Sequence, residues 1–377
     1  MPAPLVSFVV PCYRLAHYLG ACLDSLLSQS FGRLEVIVMD DCSPDHTASV
    51  AGSCRDPRLR YVRNERNLGH LRNYNKGISL AAGRYVWLIS ADDCLLGPHA
   101  LAKYVDVMER SERLAFAFSP ARGIDAAGEA RGIVSWTRPF AGDRTLSGRR
   151  FLTTLALGNC VAAASVLARR DCYQAVGGFP LDLPHAGDWY LWCALAFLGD
   201  VAYIDEPLAC YRAHQDSMSS AMHASRRDQV WEDQRKVRDR LKAMAESSGL
   251  TEVARLCREE IAMAYAMRLA EFTPCLSLAQ AEEWLEGELA ETAGPRERRG
   301  IKARVYGHLA DHYVGHQRRA RAEQFYRGAL RHGNRWRGYG IKLALVRMGP
   351  FGARLRTFAA RVRSVHARIP GRNDRAQ

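Results

Sequence analysis

No uninterrupted apolar run in the 377 residues reaches the roughly 18 that a membrane-spanning helix needs. The start, MPAPLVSFVVPCYR, has no basic leader region and goes straight into a strand-like segment, so no signal peptide is expected. The eleven cysteines are odd in number, scattered, and form no Cys-x-x-Cys pair. That argues against a zinc knuckle and a disulfide framework, and leaves small buried hydrophobes in a reducing cytosol. No Gly-x-Gly-x-x-Gly follows the first strand-like run, and no G-x-x-x-x-G-K-[ST] occurs anywhere. A dinucleotide fold and a P-loop are thereby disfavoured, so a phosphate-bearing ligand would be held through a metal and not by a glycine cradle.

Net charge is missing from the front half. Residues 1–220 carry 22 Lys+Arg and 22 Asp+Glu, whereas residues 221–377 carry 31 and 18, and from Arg296 onward the balance is 21 against 4. A neutral front and a basic end suggest two tasks, one of them facing an acidic surface. The boundary is expected near residue 220, giving an α/β domain over 1–220, a helical domain over 221–349 and a basic tail over 350–377.

What the front half contains is alternation. LVSFVV (5–10), LEVIVMD (34–40), RLRYVRN (58–64) and RYVWLIS (84–90) read as strands. Helical spacing of Leu15, Tyr18, Leu19, Cys22, Leu23, Leu26 and Leu27, and the stretch 75–83, read as helices between them. Such alternation predicts right-handed crossovers and a mostly parallel sheet, with ligands at the carboxyl ends of its strands. Asp40, Asp41, Asp92 and Asp93 all fall at such ends. Two adjacent like charges at the mouth of a buried strand call for a counter-ion, and a hard divalent cation bridging to phosphate supplies one.

SFVVPCYR…LGACLDSLLSQSFGRLEVIVMDDCSPDHT, followed by NERNLGHLRNYNKGISLAAGRYVWLISADDCLLGP, resembles the family 2 glycosyltransferases of GT-A fold over roughly residues 5–215. The resemblance implies an inverting, metal-dependent (Mn²⁺ or Mg²⁺) enzyme acting on a nucleotide-diphosphate sugar, most often a uridine one. By that resemblance Asp41, beside Asp40, reads the base; Pro11 and Tyr13 line it; and Asn75 opens the family's Asn-x-Gly. The metal motif Asp-x-Asp falls on Ser90-Ala91-Asp92, with Ser90 in place of the first carboxylate and Asp93 following. Asp93 would touch the metal, and Asp92 the ribose or the metal through water. The base, an acid at a helix start followed by an aromatic, falls on AGDWYLW. It assigns Asp188 as base and Trp192 one turn on, with Gly187 where Glu is more familiar. YRAH places His214 near metal or diphosphate, with Arg212 facing the diphosphate. Asp41 and Asp188 could also be simple caps, Asn75 a helix start and His214 a surface residue.

In the basic half, Ala310, Tyr313, Ala322, Tyr326 and Ala329 match one tetratricopeptide-like helix pair, about 301–333. Phe351, Leu355, Phe358, Val362, Val365 and Ile369 draw an apolar stripe flanked by arginines. That stripe suits either an anionic membrane surface or packing on the helical domain. Nucleic acid is disfavoured, since no reading module is present. The expected reaction is transfer to a glycan or lipid-linked glycan in bacterial surface polysaccharide assembly, at the inner face of the plasma membrane. The rivals are a catalytically silent nucleotide-sugar binder and a sugar nucleotidyltransferase; the second would open with a basic glycine-rich loop that VVPCYRLAHY lacks.

Overall fold

The computed structural model describes residues 3–215, 217, 226–273, 276–290, 293–333 and 336–348. It separates into two compact units, 1–257 and 258–377. The expected amphipathic helix over 350–377 lies outside the described residues.

The first unit is built on strands β1 (Val6–Cys12), β2 (Leu34–Asp40), β3 (Leu59–Arg63), β4 (Tyr85–Leu88), β5 (Cys94–Leu95), β6 (Leu114–Phe118), β7 (Ala121–Ile124), β8 (Ala130–Ile133), β9 (Arg144–Leu146), β10 (Val166–Arg169), β11 (Asp200–Tyr203) and β12 (Ala209–Arg212). Eight form one sheet in the order β3-β2-β1-β4-β10-β6-β11-β9, and a second sheet runs β5-β12-β7-β8. The half that alternation predicts, β3 to β4, is parallel throughout. Beyond it β10 runs against both β4 and β6, and β9 against β11, so the sheet as a whole is mixed. Between β6 and β10 the chain passes through β7 and β8 of the second sheet, the edge strand β9 and then α5.

The helices of this unit are α1 (Ala16–Leu27), α2 (Thr47–Ser53), α3 (His70–Leu80), α4 (Ala100–Glu109), α5 (Gly148–Leu157), α6 (Arg170–Val176), α7 (Gly187–Leu198) and α8 (Arg227–Ser247). All seven residues of β1 are buried, because helices cover both faces of the sheet. Side-chain alternation divides its residues between two cores: Val9 points to the layer holding Leu71, Trp189 and Val237, Phe8 and Val10 to the layer holding Leu19, Leu23 and Leu101. Helix α3 lies close on this sheet, since a side chain at Gly77 would meet Val9 Cγ1 at 2.4 Å and Met39 Cγ at 2.8 Å.

The first unit extends well past residue 220, where charge and composition set the boundary. Val237, Leu241 and Ala245 of α8 are fully buried in the core that α7 also enters, so this charged helix belongs with the sheet. A further helix, α9 (Thr251–Phe272), crosses the division between the units, and the second unit continues with α10 (Leu278–Leu289), α11 (Pro295–Gly315), α12 (Arg319–His332) and α13 (Trp336–Arg347). Helices α11 and α12 make a hairpin in which Ala310, Tyr313, Ala322, Tyr326 and Ala329 are all buried, and Tyr313 stacks on Phe325 at 5.5 Å. Among the described residues, no helix is long and apolar enough to cross a membrane.

Candidate active site

At the carboxyl end of β4 the chain leaves the sheet through Ser90, Ala91, Asp92 and Asp93 and enters β5. Because β5 pairs with β12, residues about 120 positions apart meet here. Asp92 Oδ2 lies 2.9 Å from His214 Nε2. The other Asp92 oxygen, Oδ1, is buried and meets no hydrogen-bond donor among the described residues. Asp93 Oδ1 accepts the Arg212 backbone N–H at 2.9 Å. Burial, then the neighbouring Asp92, push the Asp93 carboxyl well above the ordinary carboxylate range. The Arg212 guanidinium lies 4.5 Å over the Tyr18 ring, and its Nε donates to the Asp92 carbonyl at 2.7 Å.

Asp188 stands in the first turn of α7, where the helix dipole favours a negative side chain. Its Oδ1 accepts the Trp189 N–H at 2.7 Å and its Oδ2 accepts Asn159 Nδ2 at 3.1 Å. Desolvation outweighs these bonds and lifts its pKa from 3.8 to about 6. A single cleft of about 490 Å³ is lined by Asp92, Asp93, Arg212 and Asp188, with Tyr74 and Trp136 among its other walls. The Tyr74 hydroxyl is pushed upward by burial and then by Asp92, Asp188 and Asp93 in turn, so carboxylates of the β4–β5 connection and of α7 act on one phenol.

Other residues singled out from the sequence lie elsewhere. Asp40 is fully buried and accepts from the Ser43 N–H (2.7 Å), the Tyr61 hydroxyl and Arg63 (2.9 Å), so it braces the β2–β3 edge and is not open to a ligand. Asp41 is 3% exposed and accepts from Asn64 Nδ2, Leu68 N–H and Gly69 N–H, all within 3.0 Å. Asn75 exchanges two hydrogen bonds with the Phe179 backbone, 2.9 and 2.7 Å, and so clamps the turn before α7. Trp192 is fully buried against Phe116 in the core. The α7 indole that lines the cleft is Trp189, at position i+1 from Asp188, and not Trp192 at i+4. Pro11 is buried at the end of β1, and Tyr13 just beyond it is 40% exposed.

One contributor carried no sequence signal. Asp233, in the middle of the charged helix α8, is fully buried; its Oδ2 accepts the His185 N–H at 2.7 Å and the Ala186 N–H at 3.4 Å, and Oδ1 accepts Gln229 Nε2 at 2.6 Å. It thus holds the residues just before α7, two positions from Asp188. Asp233→Ala would leave these buried donors without an acceptor. We expect it to cost roughly 1–3 kcal/mol in urea unfolding, with a parallel fall in turnover.

Residues 7–167 match the profile of glycosyl transferase family 2. That segment is a family 2 glycosyl transferase domain. The chain is 27% identical over 226 residues to an uncharacterized glycosyltransferase of Haemophilus influenzae, a match that covers 58% of this chain and 68% of that one. It is 38% identical over 90 residues to the succinoglycan biosynthesis protein ExoO of Rhizobium meliloti, 24% of this chain and 26% of that one. The longer matches span between 64% and 72% of those relatives' own length. Among solved structures, S. aureus TarS 1-349 in complex with UDP-GlcNAc superposes with a TM-score of 0.60 at 19% identity, covering 86% of this chain and 90% of that one. The shared fold is GT-A. The family match includes Asp92 and Asp93 and stops short of Asp188, Arg212 and His214.

Proposed function

We propose that the protein transfers a glycosyl group, with inversion, from a nucleoside diphosphate sugar to a hydroxyl of a glycan acceptor. The observation that supports this reading is the shared cleft, which has Asp92, Asp93 and Arg212 among its walls together with Asp188. In the proposed step Asp188 takes the proton of the acceptor hydroxyl as its oxygen bonds to the anomeric carbon. The bond from that carbon to the diphosphate oxygen breaks, and its electron pair leaves with the nucleoside diphosphate. A pKa near 6 keeps Asp188 ionised at neutral pH yet basic enough to accept that proton. Arg212, oriented by Tyr18 and the Asp92 carbonyl, faces the diphosphate.

Among the described residues no group of three His, Cys, Asp or Glu side chains could by itself hold a metal ion. Two ligands are enough where substrate phosphates complete the set. The unpartnered Asp92 Oδ1 and the adjacent imidazole of His214 fit Mn²⁺ or Mg²⁺. When bound, such an ion would neutralise charge building on the diphosphate as it leaves. A uridine donor is proposed, with the nucleoside toward the exposed Tyr13. TarS in complex with UDP-GlcNAc and the succinoglycan biosynthesis protein ExoO support a sugar nucleotide and polysaccharide synthesis respectively.

Thermal-shift titration tests the reading. UDP with Mn²⁺ is expected to raise the melting temperature, by the equivalent of about 2.7 kcal/mol at a hundredfold excess over Kd. His214→Ala and Asp92→Asn should lose most of that gain. Equal stabilisation by UDP in EDTA and in Mn²⁺ would show that the pair holds no metal.

A further inference from the structure

Among the tryptophans whose burial is described, Trp136 alone is exposed, at 45%, and it lines the cleft that also holds Asp188. Large exposed indoles are uncommon on a soluble surface and carry information when they border a concave site. This one is rigidly presented. It sits at the centre of the 3-10 turn Ser135–Thr137, and the next residue, Thr137, is fully buried. The Thr137 hydroxyl donates to the Val134 carbonyl at 2.7 Å and accepts the Ala121 N–H at 3.0 Å, while Val134 N–H donates to the Ala121 carbonyl at 2.9 Å. Tyr211, immediately before Arg212, meets the Trp136 ring edge-to-face at 6.4 Å. The fold therefore holds a large aromatic face still, half open, at the rim of the cleft.

An aromatic face is electron-rich and its edge electron-poor, so it attracts the weakly positive C–H face of a pyranose ring, and a rigid ring does so with little ordering cost. A nucleobase could stack in the same way, but Tyr13 and Asp41, at the ends of β1 and β2, are not among the residues lining this cleft. Asp92, which lines the cleft and lies 2.9 Å from His214, marks the proposed diphosphate end. A half-exposed rim is where a chain longer than one sugar emerges. We propose that Trp136 is the stacking platform for a pyranose ring of the acceptor glycan. This rests on the transferase reading above, and it adds an acceptor subsite outside the residues that hold the donor.

The test is saturation-transfer difference NMR on the full chain saturated with UDP and Mn²⁺, with a panel of methyl hexopyranosides and their di- and trisaccharides as probes. UDP binding is followed in the same samples by thermal shift. Wild type is expected to pass saturation to the ring C–H protons of at least one oligosaccharide. Trp136→Ala should lose it at least fivefold with UDP binding and melting temperature unchanged, and Trp136→Phe should keep a substantial part. Equal signals from wild type and Trp136→Ala overturn the proposal, as does the absence of signal from every probe with wild type. Failure of UDP to bind sinks the donor reading; intact UDP binding without sugar contact sinks only the platform. A second arm uses UDP-hexoses in place of UDP: loss of saturation on the donor hexose in Trp136→Ala would assign the ring to the donor and also overturn the proposal.

Discussion

Asp188→Asn is expected to lower glycosyl transfer by about 10²–10⁴-fold, the range that a positioned general base supplies, and at the same time to make the protein more stable above pH 6. The two effects share a cause. Asp188 is held in a desolvated first turn of α7, so its pKa rises from 3.8 in a free carboxyl to about 6. Below pH 3.8 the group is protonated in both folded and unfolded chains and has no effect on stability. As pH rises past 3.8 the unfolded chain releases its proton first and is favoured. The penalty on the folded state grows up to about pH 6 and then levels off, on the order of 2 kcal/mol after allowing for partial solvent contact. Asn removes that penalty. The melting-temperature difference between variant and wild type should therefore be near zero at pH 3.5 and reach its full value by pH 7. Wild-type kcat/KM should fall tenfold per pH unit below about 6. A variant with wild-type turnover would show that the base lies elsewhere.

Gly148→Ala is expected to be the most damaging single-methyl change in the first unit, costing roughly 3 kcal/mol in urea unfolding. Gly148 is the first residue of α5, after the N-cap Ser147, whose hydroxyl accepts the Arg150 N–H. A methyl there would lie 1.8 Å from the Ala196 carbonyl oxygen and 2.2 Å from that of Gly199. Both obstacles are backbone at the end of α7, so no side chain can swing aside, and α5 and α7 would have to part. Because α7 also carries Asp188, activity should fall with stability. Gly20→Ala is the matched control: nothing lies within 4 Å of the added methyl, and an Ala inside α1 should gain about 0.5–1 kcal/mol. Similar losses at both positions would contradict the close approach of α5 to α7.

Strand runs such as VSFVVPC and the acidic ends of β2 and β4 were legible because burial on both sheet faces leaves an unbroken apolar run that stops where the chain meets solvent. Adjacency in sequence also placed Asp92 beside Asp93, and position at a helix start placed Asp188. What the sequence could not show was which polar groups already have partners. Asp40, Asp41 and Asn75 look like ligands in one dimension, yet Tyr61, Asn64 and the Phe179 backbone, brought in from other segments, occupy them. Helical spacing predicts a shared face for Asp188 and Trp192, but the core claims that face, and Trp189 turns to the cleft. Asp233 was hidden because α8 reads as a solvated charged helix, and only its packing on α7 shows that one of its acids is buried.

The carboxylates rest on supports of unequal stiffness. Asp92 and Asp93 follow β4, whose register is fixed by β1 on one side and β10 on the other, and the Ala91 N–H just before them donates to the Pro11 carbonyl at 3.2 Å, so their backbone is tied to the sheet. Asp188 opens a helix whose preceding turn is held by side chains, Asp233, Asn75 and His70 among them, and not by strand pairing. In the proposed transfer, leaving-group geometry is thus the stiffer part of the design, and the angle of attack is the more adjustable part. Efforts to redirect which hydroxyl becomes glycosylated should start from residues 182–186 and 229–238, leaving the strand ends untouched.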